Sequence, residues 1–144
     1  MKNDYEKTLL LIKPDGVERK TIGQIISRFE QRGLDIVALK LLQASAEQLR
    51  AHYAEHVTKD FYPEMEEYMS RGPICALVIG GVQAQSVVRT MMGATMPAQA
   101  APGTIRGDLA LNPLDGPIEN LVHGSDSLES AAREISIWFP ELAN

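Results

Sequence analysis

Residues Ile118 to Phe139 read IENLVHGSDSLESAAREISIWF. The segment Ile118 to Val122 is short and apolar, Gly124 permits a turn, and Leu128 to Phe139 carries a helical pattern. A strand that ends in a histidine and then enters a helix presents the imidazole of His123 at an element end, where it is open to chemistry. An imidazole's ordinary pKa of about 6.5 leaves most of it neutral and nucleophilic at pH 7. Glu134, farther along the helix, can fold back and fix one ring nitrogen, leaving the other free to attack. Ser125 and Asp126 suit the helix start, where short polar side chains satisfy unpaired backbone donors. A lone histidine at a strand end is also commonly a structural hydrogen-bonder, so the residues by themselves leave both roles open.

Upstream the chain alternates in the same way. Thr8 to Ile12 is an apolar run of strand length, stopped by Lys13-Pro14-Asp15-Gly16. Ile22, Ile25, Ile26 and Phe29 recur at helical spacing between Ile22 and Arg32, with Gly33 as the cap. Leu34 to Leu42 reads as a second strand. Ser45-Ala46-Glu47-Gln48 matches a capping box and opens a helix expected to run through about His56. A further helix is expected over Tyr62 to Ser70. Ile74 to Ile79 is almost wholly apolar, which predicts a central strand. Val82 to Met92 is helical and closed by Gly93. From Ala94 to Pro117 the prolines Pro97, Pro102, Pro113 and Pro117 break every pattern. A loop this long in a compact domain is usually functional or disordered, and its apolar, turn-rich character, with Thr95 and Arg106, points to function. The order strand–helix–strand, helical pair, strand–helix–strand predicts an α/β (α+β) fold. Its form is a ferredoxin-like split βαβ sandwich, a four-stranded antiparallel sheet covered by helices. One domain over residues 1–144 is expected.

Bulk properties narrow the classes. The chain has 144 residues, 44% of them hydrophobic and 23% charged, as in ordinary globular proteins. Its net charge of −5 and pI near 5.2 disfavour nucleic acid and anionic membranes as partners. No apolar run approaches the roughly 20 residues that span a bilayer, and the N-terminal run is too short for a signal peptide. Cys75 is the only cysteine and sits in the apolar run PICALVIG, which suggests a buried thiol and excludes an intrachain disulfide. A cytoplasmic location is the expectation.

Neither GxxxxGK[ST] nor GxGxxG occurs, so phosphate would have to be bound by side chains. Lys13, Arg89 and Arg106 are the candidates, because each lies at an element end or in the loop; Arg28, Arg50 and Arg71 read as surface residues. An arginine fork matches phosphate oxygens and the charge spread over a transferring phosphoryl group. His52 and His56 stand four apart, a spacing that also suits two metal ligands. Without an accompanying Glu-x-x-His or cysteine pair, a solvated helix face is the expectation for both.

The motifs LIKPDG, PGTIRGD and NxxHGSD, with a glutamate in the following helix, resemble those of the nucleoside diphosphate kinases over nearly the whole chain. The resemblance implies an enzyme that passes the γ-phosphoryl of a nucleoside triphosphate to a nucleoside diphosphate by a ping-pong mechanism, with broad base tolerance. It implies His123 as the nucleophile, phosphorylated on its pros nitrogen, with Ser125 and Glu134 orienting it and the hydroxyl of Tyr53 beside it. Lys13 resembles the lysine that meets phosphate and ribose, Phe61 the aromatic under the base, and Met65 a second apolar contact. Arg89 and Thr95 resemble phosphate contacts, Arg106 the arginine that bridges the phosphates, and Asn120 the ribose contact. Mg²⁺ is expected on the nucleotide phosphates, with none held by the protein, and a homo-oligomer is expected, dimers building a tetramer or hexamer. The sequence departs from the family pattern between Arg106 and Asn120, where four extra residues fall within Asn112 to Pro117. Met96 also replaces the usual asparagine before Pro97. The contrasting class is a nucleotide-sensing or nucleic-acid-binding module on a similar fold, in which His123 is never phosphorylated.

Overall fold

The structure, a computed structural model, describes residues 4–116 and 118–142. Pro117, assigned above to the turn-rich loop, lies outside the described residues. Four strands, β1 (Tyr5–Ile12), β2 (Asp35–Leu42), β3 (Ile74–Val82) and β4 (Val122–Gly124), form one sheet in the order β2-β3-β1-β4. All pairs are antiparallel, the arrangement expected of a ferredoxin-like sandwich. The near-continuous apolar runs of β1 and β3 place them at the centre, because both of their faces are covered.

Side chains alternate across a strand, so the sheet divides the apolar residues between two cores. Leu10, Ile12, Leu77 and Ile79 face the helices α2 (Ile22–Gln31), α5 (Ala84–Met92) and α6 (Ile105–Leu109). Leu9, Leu11, Ala76 and Val78 face α3 (Ala46–His52), α4 (Tyr62–Ser70) and α7 (Leu128–Trp138), with Trp138 and Phe139 filling the centre. The short helix α1 (Pro14–Glu18) follows β1 directly, with Pro14 at its first turn. β2 lies at an edge and exposes Val37, Leu39 and Leu41. Among the described residues no helix is long and apolar enough to cross a membrane.

Several boundaries differ from expectation. The Ser45 capping box forms, but α3 stops at His52 instead of running to about His56. The chain leaves the helix at Tyr53, whose backbone, at φ −100° and ψ 33°, is no longer helical. The last strand does not occupy Ile118 to Val122; it begins at Val122, and His123 sits inside it, not at its end. Leu121 adopts φ +70°, which an extended strand cannot contain. α7 is capped by Ser127, whose side chain accepts from the Ser130 N–H at 3.0 Å, not by Ser125 or Asp126. The helix expected from Val82 starts at Ala84, because Val82 still pairs with Tyr5 in β3. The long loop holds a 3-10 turn at Pro97–Gln99 as well as α6, whose Thr104 side chain caps it through the Gly107 N–H.

Candidate active site

Strand register brings the histidine to its partners. In the β1–β4 pair His123 stands opposite Leu11, so it shares the face of the sheet covered by α3, α4 and α7. Gly124 follows because a Cβ there would overlap the sulfur of Met92 on the other face. From α7, Glu134 reaches back so that its Oε1 lies 3.1 Å from His123 Nε2. The same oxygen accepts from the Ser125 hydroxyl at 2.7 Å. Glu134 is only 5% exposed. Burial pushes its carboxyl up, but the His123 hydrogen bond and charge, together with the Ser125 hydroxyl, outweigh this and hold it below its ordinary value. A carboxylate here makes Nε2 the protonated nitrogen of a neutral His123 and leaves Nδ1 as the lone pair, with no hydrogen bond among the described residues.

His123 opens into a cleft of about 660 Å³ whose walls include Lys13, Tyr53, Phe61, Met65, Arg89, Thr95, Arg106 and Asn120. Every site residue expected from the sequence therefore lines one cleft, except Ser125, which is buried behind Glu134. Phe61 is exposed at the rim, at the N-cap of α4, and Met65 follows one turn later on the same wall.

The cationic side is tied together. Lys13 Nζ donates to Asn120 Oδ1 at 2.9 Å, and Asn120 Nδ2 donates to the Thr95 carbonyl at 3.0 Å. Arg106 is 4% exposed. Its guanidinium donates to the carbonyls of Asn120 (3.3 Å), Gly93 (3.1 Å) and Val122 (2.7 Å), and so spans the chain on either side of Leu121. Arg89 donates to the Gly124 carbonyl at 3.2 Å and stands 3.4 Å from Asp126. Crowding of like charge shows in the acidities. Burial, then the charge of Arg106, brings Lys13 down to about 8 against an opposing pull from Asp15. Burial, then Arg89, brings Arg106 down to about 10.

The sequence reading misplaced His52. It does not lie on a solvated helix face: it is 4% exposed, and its ring stands 4.5 Å from that of His123 with the planes at 75°. Its Nδ1 accepts from the indole N–H of Trp138 at 3.0 Å. Burial, then the neighbouring His123, lowers its pKa to about 3, so it is neutral at working pH. His56 is half-buried and also lines the cleft. Tyr53, the expected neighbour of His123, packs edge-on to His52 at 4.6 Å, and burial followed by the Glu134 charge raises its hydroxyl's pKa.

Asp15 was missed altogether. It is buried, it accepts the Leu121 N–H at 3.0 Å, and it takes the Tyr68 hydroxyl hydrogen bond. The Lys13 N–H donates to the Leu121 carbonyl at 2.7 Å. These contacts hold a bulky residue in a left-handed conformation two positions before His123. The motif LIKPDG carried the signal, since an aspartate directly after Lys13-Pro14 is poised to reach the neighbouring strand.

The family model described as nucleoside diphosphate kinase matches residues 6–143. A nucleoside diphosphate kinase of Mycobacterium tuberculosis is 54% identical over 136 residues, covering 94% of this chain and 97% of the relative. Human nucleoside diphosphate kinase 3 is 50% identical over 135 residues, covering 94% of this chain and 78% of the relative. Among solved structures, the Halobacterium salinarum enzyme in complex with CDP is 42% identical with a TM-score of 0.87, covering 94% of this chain and 88% of that one. A transition-state mimic of the Borrelia burgdorferi enzyme with bound vanadate and ADP also has a TM-score of 0.87, at 38% identity, with 94% and 87% covered. With the family model spanning residues 6–143 and a relative 54% identical over 94% of the chain, this chain belongs to the nucleoside diphosphate kinase family.

Proposed function

We propose that the chain moves a γ-phosphoryl group from a nucleoside triphosphate to a nucleoside diphosphate in two half-reactions through a phosphohistidine at His123. The observation that carries this is the single carboxylate oxygen of Glu134 shared between His123 Nε2 and the Ser125 hydroxyl. It anchors one ring nitrogen and turns the other toward a cationic cleft.

In the first half, the Nδ1 lone pair attacks the γ-phosphorus as the bond to the β-phosphate oxygen breaks and the diphosphate leaves. The ring becomes cationic as the N–P bond forms, and the Nε2 proton remains shared with Glu134, whose negative charge offsets it. In the second half, a β-phosphate oxygen of the incoming diphosphate attacks the phosphoryl group and the N–P bond breaks. One cleft serves both halves because donor and acceptor differ only by the phosphoryl. Arg106, fixed by three carbonyls, is a preorganised cation for the charge on the transferring group. Stacking on the exposed Phe61 with Met65 alongside tolerates any base.

The cleft does not suit a protein-held Mg²⁺. The one cluster of candidate ligands among the described residues is His52, His123 and Glu134, rich in nitrogen where Mg²⁺ requires oxygen. Mg²⁺ would ride on the nucleotide phosphates and neutralise their charge. Assembly into a homo-oligomer is part of the same proposal, supported by the apolar edge strand β2.

Incubation with γ-labelled ATP should leave an acid-labile, alkali-stable label on the wild-type chain. His123→Ala should fold normally and abolish both the label and phosphoryl exchange. A folded His123→Ala protein that is labelled at the normal rate would show that another residue carries the phosphoryl, and an unlabelled wild type would favour a binding module.

A further inference from the structure

Trp138 is wholly buried in the last turn of α7, and the only polar group of its side chain is the indole N–H, which can donate but not accept. It donates to His52 Nδ1 at 3.0 Å. A neutral imidazole has one N–H and one lone pair, so with the Nδ1 lone pair engaged the proton sits on Nε2. That Nε2 is buried and has no hydrogen-bond partner among the described residues.

With Nδ1 engaged by Trp138, Nε2 is the nitrogen His52 would have to offer to a metal. His52, His123 and Glu134 each offer a ligand atom, all within 4.8 Å of one another. Two imidazoles and one carboxylate are a set that holds zinc in many enzymes, with ligand atoms about 2.0–2.2 Å from the metal. Small side-chain movements would close such a site on the ring of His123. His123 can pass its own Nε2 proton to Nδ1, which has no hydrogen bond among the described residues, so what opposes closure is the proton on His52 Nε2, because coordination needs a lone pair there. Moving that proton to Nδ1 would set it against the Trp138 N–H, two donors facing each other in a buried space. Metal-bound histidines almost always donate through their second nitrogen; His52 accepts through its second nitrogen instead.

We propose that Trp138 locks His52 as the Nε2–H tautomer and thereby denies the His52–His123–Glu134 cluster to divalent transition metals. The benefit to catalysis rests on His123 being the phosphoryl carrier, but the tautomer and the metal affinity can be measured without it.

Long-range ¹H–¹⁵N correlation spectra of the wild-type chain should show His52 protonated at Nε2 and bare at Nδ1. A proton on Nδ1 would overturn the proposal. In parallel, Zn²⁺ alone is titrated calorimetrically into the wild type, Trp138→Phe, and Trp138→Phe combined with His52→Ala. Phenylalanine keeps much of the apolar bulk while removing the donor. Second-shell partners typically change metal affinity by about 10–100-fold, so Trp138→Phe should bind Zn²⁺ at least about tenfold more tightly, and the gain should vanish in the double variant. Equal affinity in wild type and Trp138→Phe, or a gain that survives loss of His52, would contradict the lock. If Trp138→Phe does not fold, the wild-type spectra decide the matter.

Discussion

Lys13 and Arg106 share one crowded corner, and each yields a test. The Lys13 ammonium is present below pH about 8 and lost above it. With Lys13 serving phosphate, kcat/KM for nucleoside triphosphate should fall as pH rises through about 8, since that ratio reports groups of the free enzyme. Lys13→Arg stays charged across this range and should move the alkaline limb upward even where the absolute rate drops; an unmoved limb would assign it to another group. The stability sign is opposite. The folded value lies below the ordinary 10.5, so between about 8 and 10.5 the unfolded chain binds more protons and Lys13's contribution to stability rises with pH. Arg106→Ala removes a preorganised donor from developing charge, so kcat and kcat/KM should fall together by about 10²–10³. A raised KM with unchanged kcat would instead mark a ground-state contact. At this scale the reach of Glu134 to His123 was legible from spacing, whereas the place of Ser125 beside them came from the family resemblance, the residues alone suggesting a helix cap. His52 was not legible, because a helix-face pattern does not reveal a donor as distant in sequence as Trp138.

β4 is three residues long, and its position depends on what precedes it. Leu121, at φ +70°, is held by Asp15 from α1 and by the backbone N–H of Lys13. Conformations of this kind cost on the order of 1–3 kcal/mol and persist only where the surroundings impose them. Asp15→Ala would leave the buried Leu121 N–H and the Tyr68 hydroxyl without this acceptor, costing about 1–3 kcal/mol for each group left unsatisfied. Denaturant unfolding should show that loss. Labelling of His123 should slow as well, because relaxation of Leu121 shifts the histidine away from Glu134. Tyr68→Phe removes only one of the two bonds and should keep near-normal labelling. A destabilised Asp15→Ala that labels at the wild-type rate would separate the strained turn from the chemistry. The long central elements were legible from apolar runs and helical spacing, which packing on two faces enforces. The last strand was misread because Ile118, Leu121 and Val122 are apolar in sequence yet divide between cleft, left-handed turn and sheet.

At the scale of the molecule, the sheet separates a core under α2, α5 and α6 from one under α3, α4 and α7; His123 lies on the second face, and Arg89 and Arg106 reach the cleft from α5 and α6. The stretch from Asn112 to Gly116, which the family resemblance suggests is an extension, belongs to neither core. Leu111 and Glu119 bridge the base of this loop, Glu119 pairs with Arg71 at 3.1 Å, and Leu114 at the tip is fully exposed. Pro113 fixes its own φ, and Gly116 at φ +90° makes the turn that Asp115-Gly116 suggested. Ile118 alone of the described residues from Asn112 to Ile118 lines the cleft. Loop length is cheap to change, about 0.6 kcal/mol per doubling, whereas Arg106, Asn120 and His123 must keep their mutual geometry for transfer. The expected outcome of deleting Pro113 to Gly116 is therefore an altered assembly state by light scattering, with labelling of His123 by γ-labelled ATP preserved. An apolar tip such as Leu114 is free to meet another copy of the chain, and its removal takes away contact area without touching the cationic corner. Loss of labelling with assembly unchanged would place the loop in the active site instead, acting through Ile118 on the bound nucleotide.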